Sequence, residues 1–504
     1  MPRKIWMLDI AREQSPTLSH LYQYASHALE SGYDALGLYL EHKFAYECAP
    51  WATGKGAVTR DMVISLQCEF PSLQIIPFIN LLGHFEGFLY TEEGRQYREE
   101  IFTGLQACPS CPEFQKLCHL MLAETMDVFQ SDLIHIGGDE TYQLAKCDKC
   151  QARIPEGTED PKAWLYAEHF RPLLQQVIDA GRTPGLWGDM YLDHPSALEI
   201  VPKETIIFDW QYMNGLGETS TKFSNFRVYG CPTLHVYNAP WMHVSGTEEN
   251  IRAVAQDVHD LNLEGFCLTQ WEGGLFGAYD TQLPAVKWAA QIADNPSNPT
   301  SLVDAHDEES GQRTWANIMG VELEKIGGVF KYSKLRNPLK ARFLLYSNPF
   351  LCWMHHHEQL AGPQGEEAIA LCEKALHYAP TDAEKNATIF VRSAIEFVRM
   401  ADDARKLYAA GDADAAIGKL APMRYLFENL EKAAKANYDR IGGSMADVYR
   451  CRTAKLHVET VIRRIRDYGR RELGYLPAFE VITNPRFMPH DQGCWWLVNK
   501  WANE

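Results

Sequence analysis

The sequence predicts an α/β fold, a (β/α)8 TIM-type barrel followed by an α-helical C-terminal domain. Three observations lead there. Eight short apolar runs alternate with stretches of helical spacing over residues 1–300. The polar segment Asp294-Asn295-Pro296-Ser297-Asn298-Pro299-Thr300 then breaks the pattern. Beyond it Ala, Glu, Lys, Arg and Leu recur with helical periodicity. The barrel is therefore placed at 1–300 and the helical domain at 301–504.

The eight runs are Ile5–Ile10, Ala35–Leu40, Leu73–Leu82, Leu133–Ile136, Thr183–Trp187, Thr205–Trp210, Thr233–Tyr237 and Gly265–Trp271. Between them Leu18–Ser31, Phe114–Phe129, Trp164–Ala180 and Glu249–Leu261 repeat apolar residues at helical intervals. The C-terminal helices are expected at Glu366–Tyr378, Asp382–Ala410, Asp412–Asn437 and Ser444–Tyr468. A strand-helix unit repeated eight times closes into a barrel, and the C-terminal strand ends of such barrels carry the chemistry. Polar and aromatic side chains gather at those ends here: Asp9, Glu41, His84, Asp139, Glu140, Trp187, Trp210, Tyr237 and Trp271.

Composition narrows the class. A net charge of −18 with no basic stripe argues against nucleic acid and against anionic membrane surfaces. No stretch reaches the apolar length of a membrane span, and the first residues read as a strand, so a cytoplasmic protein is expected. Thirteen cysteines, an odd number in a chain of this size, read as reduced thiols and not as a disulfide framework. Sugar rings stack on indole faces, and 13 tryptophans offer such faces beyond ordinary packing needs. The aromatic end Cys494–Trp501 either packs back on the barrel or binds a sugar or partner. The helical domain can complete the pocket, form a homodimer, or cover barrel surface.

His135-Ile136-Gly137-Gly138-Asp139-Glu140 concentrates the chemistry. Two glycines allow a sharp turn and a close approach of backbone to ligand. Neighbouring side chains diverge, so Asp139 and Glu140 must hold separate positions, which suits two distinct carboxylate roles. Alone, an Asp-Glu pair is an ordinary solvated loop; after an apolar strand and a double glycine that reading loses weight.

With this signature the chain resembles family-20 glycoside hydrolases, the β-N-acetylhexosaminidases. Ile76–His84, Gly185–Met190, Phe208-Asp209-Trp210 and Leu268–Trp271 are similar to further segments of that family, in the same order. The likeness spans roughly 3–290 and is strongest to the short, hexosaminidase D-like branch. It implies an exo-acting retaining enzyme on terminal GlcNAc or GalNAc, working by substrate-assisted catalysis through an oxazolinium intermediate. Glu140 would be the general acid and base, and Asp139 would orient the acetamido group. Trp187, Trp210 and Trp271 would wall its methyl, and Tyr237 would bond its carbonyl. His84 is placed near the acid or is structural. Asp9 and Glu41 grip sugar hydroxyls or pair with Arg12 and Lys43.

Two departures from the family pattern bear on hydroxyl recognition. Lys4 aligns with an arginine of larger members, and Glu272 directly follows Trp271. Two other readings remain open: a barrel glycosidase acting on a modified hexosamine, and a catalytically silent carbohydrate-binding protein. The intact acid pair argues against silence.

Cys108-Pro109-Ser110-Cys111 and Cys147-Asp148-Lys149-Cys150 have the spacing of a tetrahedral zinc site. A structural zinc held by Cys108, Cys111, Cys147 and Cys150 is expected, with ordinary reduced thiols the alternative and redox use a remote third. No cofactor is expected in the catalysis itself.

Overall fold

The computed structural model describes residues 2–469 apart from 12–13, 103, 237–240, 272–278, 311–312, 327–343 and 346–347. Eight parallel strands form one closed barrel in sequential order: β1 Arg3–Asp9, β2 Ala35–Tyr39, β3 Gln74–Phe78, β4 Leu133–His135, β5 Thr183–Trp187, β6 Ile206–Trp210, β7 Arg227–Cys231 and β8 Gly265–Gln270. The closing pair runs from Arg3 opposite Gly265 to Leu8 opposite Gln270.

Alternate residues point inward, so the lumen is filled by Ile5, Met7, Ile76, Phe78, Leu133, Ile206, Phe208 and Tyr229. The opposite faces of the strands join a second and larger cluster with the surrounding helices. Strand period thus decides in advance which residues reach the mouth.

Four long crossovers carry the helices Leu18–Glu30, Pro112–Val128, Pro161–Asp179 and Val244–Asp260; the first three lie within a turn of the expected ranges, and the last begins five residues earlier than Glu249. Thr17 caps the first, its hydroxyl accepting from the His20 N–H. The fifth and sixth crossovers are reduced to short turns, Asp189–Asp193 with Pro195–Ile200, and Gly217–Thr221.

One strand lies elsewhere than expected. The seventh is Arg227–Cys231, not Thr233–Tyr237, which follows it past Pro232. Gly230 reads as a break in the sequence, yet a Cβ there would sit 2.7 Å from Val258 of the packed helix. The glycine lets the helix approach, and only the packed structure shows it. Thr233 makes a single bridge to Thr269 beyond the strand proper.

The C-terminal region is helical, with Phe350–Leu360, Pro363–Tyr378, Asp382–Ala409, Ala413–Leu420, Met423–Ile441 and Met445–Gly469. The single helix expected over Asp412–Asn437 is two, because Pro422 cannot donate to the turn before it. These helices dock beside the loops after β1 and β8. Tyr24 Oη donates to the Ile441 carbonyl at 2.5 Å, Tyr438 Oη to that of Ser15 at 2.7 Å, and Arg440 pairs with Asp280 at 2.6 Å. Among the described residues no helix is long and apolar enough to cross a membrane.

Candidate active site

β4 ends at His135, and the backbone then turns through Gly137 at φ 80° and Gly138 at φ 97°. A Cβ on Gly138 would lie 2.5 Å from the Tyr166 hydroxyl, which donates to the Gly138 carbonyl at 2.8 Å. Both glycines are therefore required by conformation and by space. The turn delivers Asp139 and Glu140 to the barrel mouth.

Among the non-glycine residues at this end of the barrel, Glu41 at φ 41°, His84 at 47° and Glu140 at 49° hold left-handed backbone. Such conformations cost of order 1–3 kcal/mol each and persist where the surroundings over-determine them. For Glu140 the cause is visible. Its N–H donates to Asp189 Oδ2 at 2.9 Å, and its carbonyl accepts from Tyr142 N–H at 2.9 Å.

His84 joins the acid pair. Its Nε2 lies 3.2 Å from Glu140 Oε2 and 3.4 Å from Asp139 Oδ2, with Glu86 4.0 Å from Nδ1. Burial opposes a charge on the imidazole. The Asp139 charge, with hydrogen bonds to both carboxylates, outweighs it and holds His84 well above the usual histidine range. Burial likewise opposes ionisation of Asp139, but the adjacent His84 and local hydrogen bonds hold that carboxyl below its ordinary range. The two shifts describe one ion pair, His84 cationic and Asp139 anionic.

A third carboxyl, not anticipated from the sequence, completes the cluster. Asp189 sits two residues past Trp187, on the same inward line of β5. Besides the Glu140 N–H it accepts from Trp210 Nε1 at 3.2 Å. Burial, then the charges of Asp139 and Glu140, push Asp189 up to about 8. Asp189 is thus the protonated neighbour of the ionised Asp139.

The three expected tryptophans converge. Trp187 is fully buried at the base, 5.9 Å between ring centres from Trp271. Trp271 packs edge-on against Tyr39 at 4.8 Å and donates through Nε1 to Tyr212 Oη at 2.7 Å. Tyr212 in turn lies 4.9 Å from Trp210. Tyr212 is the second residue that sequence reading missed. The signal was available, since it stands two positions after Trp210 and so continues the inward face of β6. Beneath the pocket His135 stacks on Phe78, and burial lowers it to about 3.

Other candidates fall into place unevenly. Asp9 is buried at the end of β1 and accepts from the Ala11 N–H at 2.9 Å. Glu41 accepts from Tyr39 Oη at 3.0 Å, and Asn80 Nδ2 donates to that same hydroxyl. Tyr237, Glu272, Arg12 and the end Cys494–Trp501 lie outside the described residues. Lys4 does not reach the mouth. It lies near the start of β1 on the outward face and pairs with Asp294 at 2.5 Å, so it cannot stand in for a sugar-gripping arginine.

The cysteines regroup. Cys108, Cys147 and Cys150 come together with Glu99, their donor atoms all within 4.8 Å of one another. Cys111 is not part of that group. It caps the helix Pro112–Val128, its thiol donating to Glu113 at 3.3 Å with Lys149 Nζ 3.9 Å away.

Comparison with known proteins agrees with this geometry. Residues 74–257 match the model of glycosyl hydrolase family 20, catalytic domain. A curated beta-hexosaminidase of Akkermansia muciniphila is 27% identical over an alignment of 142 residues that covers 25% of this chain and 29% of that protein. The match thus spans under a third of that relative's length. The crystal structure of a beta-N-acetylhexosaminidase from Bacteroides fragilis superposes with a TM-score of 0.51 at 17% identity, covering 63% of this chain and 71% of that one. At that identity the superposition speaks for the barrel and its helical extension alone. Signature, barrel and family match coincide on β3 to β7, and residues 74–257 are there similar to the catalytic domain of glycosyl hydrolase family 20.

Proposed function

We propose that the chain is an exo-acting, retaining β-N-acetylhexosaminidase that releases terminal N-acetylglucosamine or N-acetylgalactosamine from glycans. The observation that carries this reading is the His84–Asp139–Glu140 cluster set beside a three-tryptophan pocket. Two carboxylates on one turn need unequal tasks, and the pocket chemistry supplies them. The substrate's acetamido oxygen attacks the anomeric carbon while Glu140 donates a proton to the departing glycosidic oxygen. A cyclic oxazolinium results. Glu140, now a carboxylate, takes a proton from water as that water opens the ring. Retention follows from the two inversions.

Asp139 serves the nucleophile. Held ionised beside His84, it accepts the acetamido N–H and stabilises the positive charge that develops there. The indole faces of Trp187, Trp210 and Trp271 exclude water around the methyl group. Asp189 fixes Glu140 by its backbone and Trp210 by its ring, joining acid and pocket wall through one side chain. The proposed chemistry draws on the substrate and these residues, with no cofactor.

The test is a paired assay on gluco- and galacto-configured chromogenic N-acetylhexosaminides, with the matching glucoside as control. Hydrolysis of an acetamido sugar but not of the glucoside is expected, with the β-anomer appearing first by proton NMR. Inactivity on both acetamido sugars, or first release of the α-anomer, would overturn the proposal.

A further inference from the structure

Glu99 is 3% exposed, and no cationic side chain among the described residues pairs with it. Its Oε1 accepts the backbone N–H groups of Lys146 at 2.7 Å and Cys147 at 2.9 Å. Its Oε2 faces two thiols, Cys147 Sγ and Cys150 Sγ, each at 3.2 Å. Cys108 Sγ closes the group at 3.4 Å from Cys147 and 3.6 Å from Cys150. A buried carboxylate surrounded by three thiols has no counter-charge of its own.

These separations discriminate between chemistries. A disulfide needs sulfurs about 2.05 Å apart, and Cys108 stands between two partners and bonds neither. A tetrahedral zinc with sulfur at about 2.3 Å and oxygen at about 2.1 Å places its donors roughly 3.6–3.8 Å apart. The observed spacings fall a few tenths of an ångström inside that shell. An iron–sulfur cluster spreads its thiolates over two or more irons, whereas these donors converge on one point.

We infer that Glu99, Cys108, Cys147 and Cys150 bind one zinc ion, which clamps the loop bearing His84 to the loop bearing Asp139 and Glu140. The four donors come from both loops. Glu99 and Cys108 lie between β3 and its helix, in a segment tied to the His84 turn. There Ala107 N–H donates to the Leu82 carbonyl at 3.0 Å and Phe85 N–H to that of Leu105 at 3.2 Å. Cys147 and Cys150 lie in the segment that follows Glu140, where Gln143 N–H donates to Gln106 Oε1 at 2.9 Å. The ion therefore bridges segments that otherwise meet through isolated hydrogen bonds. Four protein donors leave no open position, so the ion is structural. Binding releases the thiol protons to solvent, and Oε1 stays occupied by backbone donors that aim Oε2 at the metal.

This inference stands apart from the proposed hydrolase activity, because its first readouts are metal content and coordination. The full chain, purified without chelators, should contain about one zinc per molecule. X-ray absorption should show three sulfurs near about 2.3 Å and one oxygen near about 2.0–2.2 Å. Cys111→Ser should keep the zinc, whereas Glu99→Ala and Cys150→Ser should lose most of it. After chelation, limited trypsin digestion should cut at Lys146 or Lys149, sites that the loaded protein resists. Protein that stays metal-free when incubated with zinc would overturn the inference. So would a four-sulfur shell, loss of zinc in Cys111→Ser alone, or loops equally resistant with and without metal.

Discussion

The two ends of the barrel are built on opposite electrostatic rules. At the floor, where strands begin, charges meet opposite charges: Arg3 with Asp132 at 3.0 Å, Lys4 with Asp294, and Arg227 with Glu264, both at 2.5 Å. At the mouth Asp139, Glu140 and Glu86 crowd one imidazole, with Asp189 holding the Glu140 N–H, on backbone held partly in left-handed conformations. The floor satisfies its groups locally and can only stabilise. The mouth keeps carboxyls short of counter-charge, which costs stability but leaves groups ready to exchange protons.

That contrast can be broken by experiment. Glu140→Gln, which keeps shape and removes the proton, should lower kcat/KM by about 10³-fold with an unchanged melting temperature. A loss of activity explained by unfolding would mean that the mouth is structural. Asp189→Ala removes the acceptor that holds the Glu140 N–H and should lower kcat by roughly 10–10²-fold, through misplacement of the acid. A change confined to KM would remove Asp189 from acid positioning.

A smaller effect concerns pH. Asp189 is raised from the ordinary 3.8 to about 8, so its contribution to stability is full below 3.8 and is lost as pH rises through 8. His84 is raised above 6.5, and its contribution is likewise lost on the alkaline side. Asp139 is depressed, so its contribution is present above 3.8 and lost as pH falls through its lowered value. The mouth therefore weakens from about pH 3.8 to 8 through Asp189, and above 6.5 through His84 as well. Thermal melts should show Asp189→Asn losing less stability than the wild type over that window, and parallel curves would refute the assignment.

The smallest effect belongs to the floor. Lys4→Met should shift the melting temperature by only a few °C, about 1 kcal/mol, and leave kcat/KM unchanged. If it altered turnover as much as Asp189→Ala, the division between the two ends would fail.

Most of the barrel was legible because strand and helix periods differ, and runs such as Thr183–Trp187 coincide with the strands found. The seventh strand was not, since Gly230 reads as a break until a helix is packed on it. At the site, the spacing of Trp187, Trp210 and Trp271 was visible, and their convergence is a property of the closed sheet. Asp189 and Tyr212 were within reach of a strict count of two past each strand end. Lys4 was misread because neighbouring positions on a strand point to opposite sides, so a short displacement in alignment changes what a residue faces.

By itself the sequence determined the strand-helix order, the glycine turn before Asp139 and Glu140, and the paired cysteine motifs. These are local: they depend on period, on backbone permissiveness and on spacing within a few residues. Only the tertiary structure decided that Asp189 joins the acid pair, that Lys4 belongs to the floor, and that Glu99 replaces Cys111 among the thiols. Those outcomes depend on which loops meet after closure, and Coulomb and coordination energies act through distances that chain order does not encode.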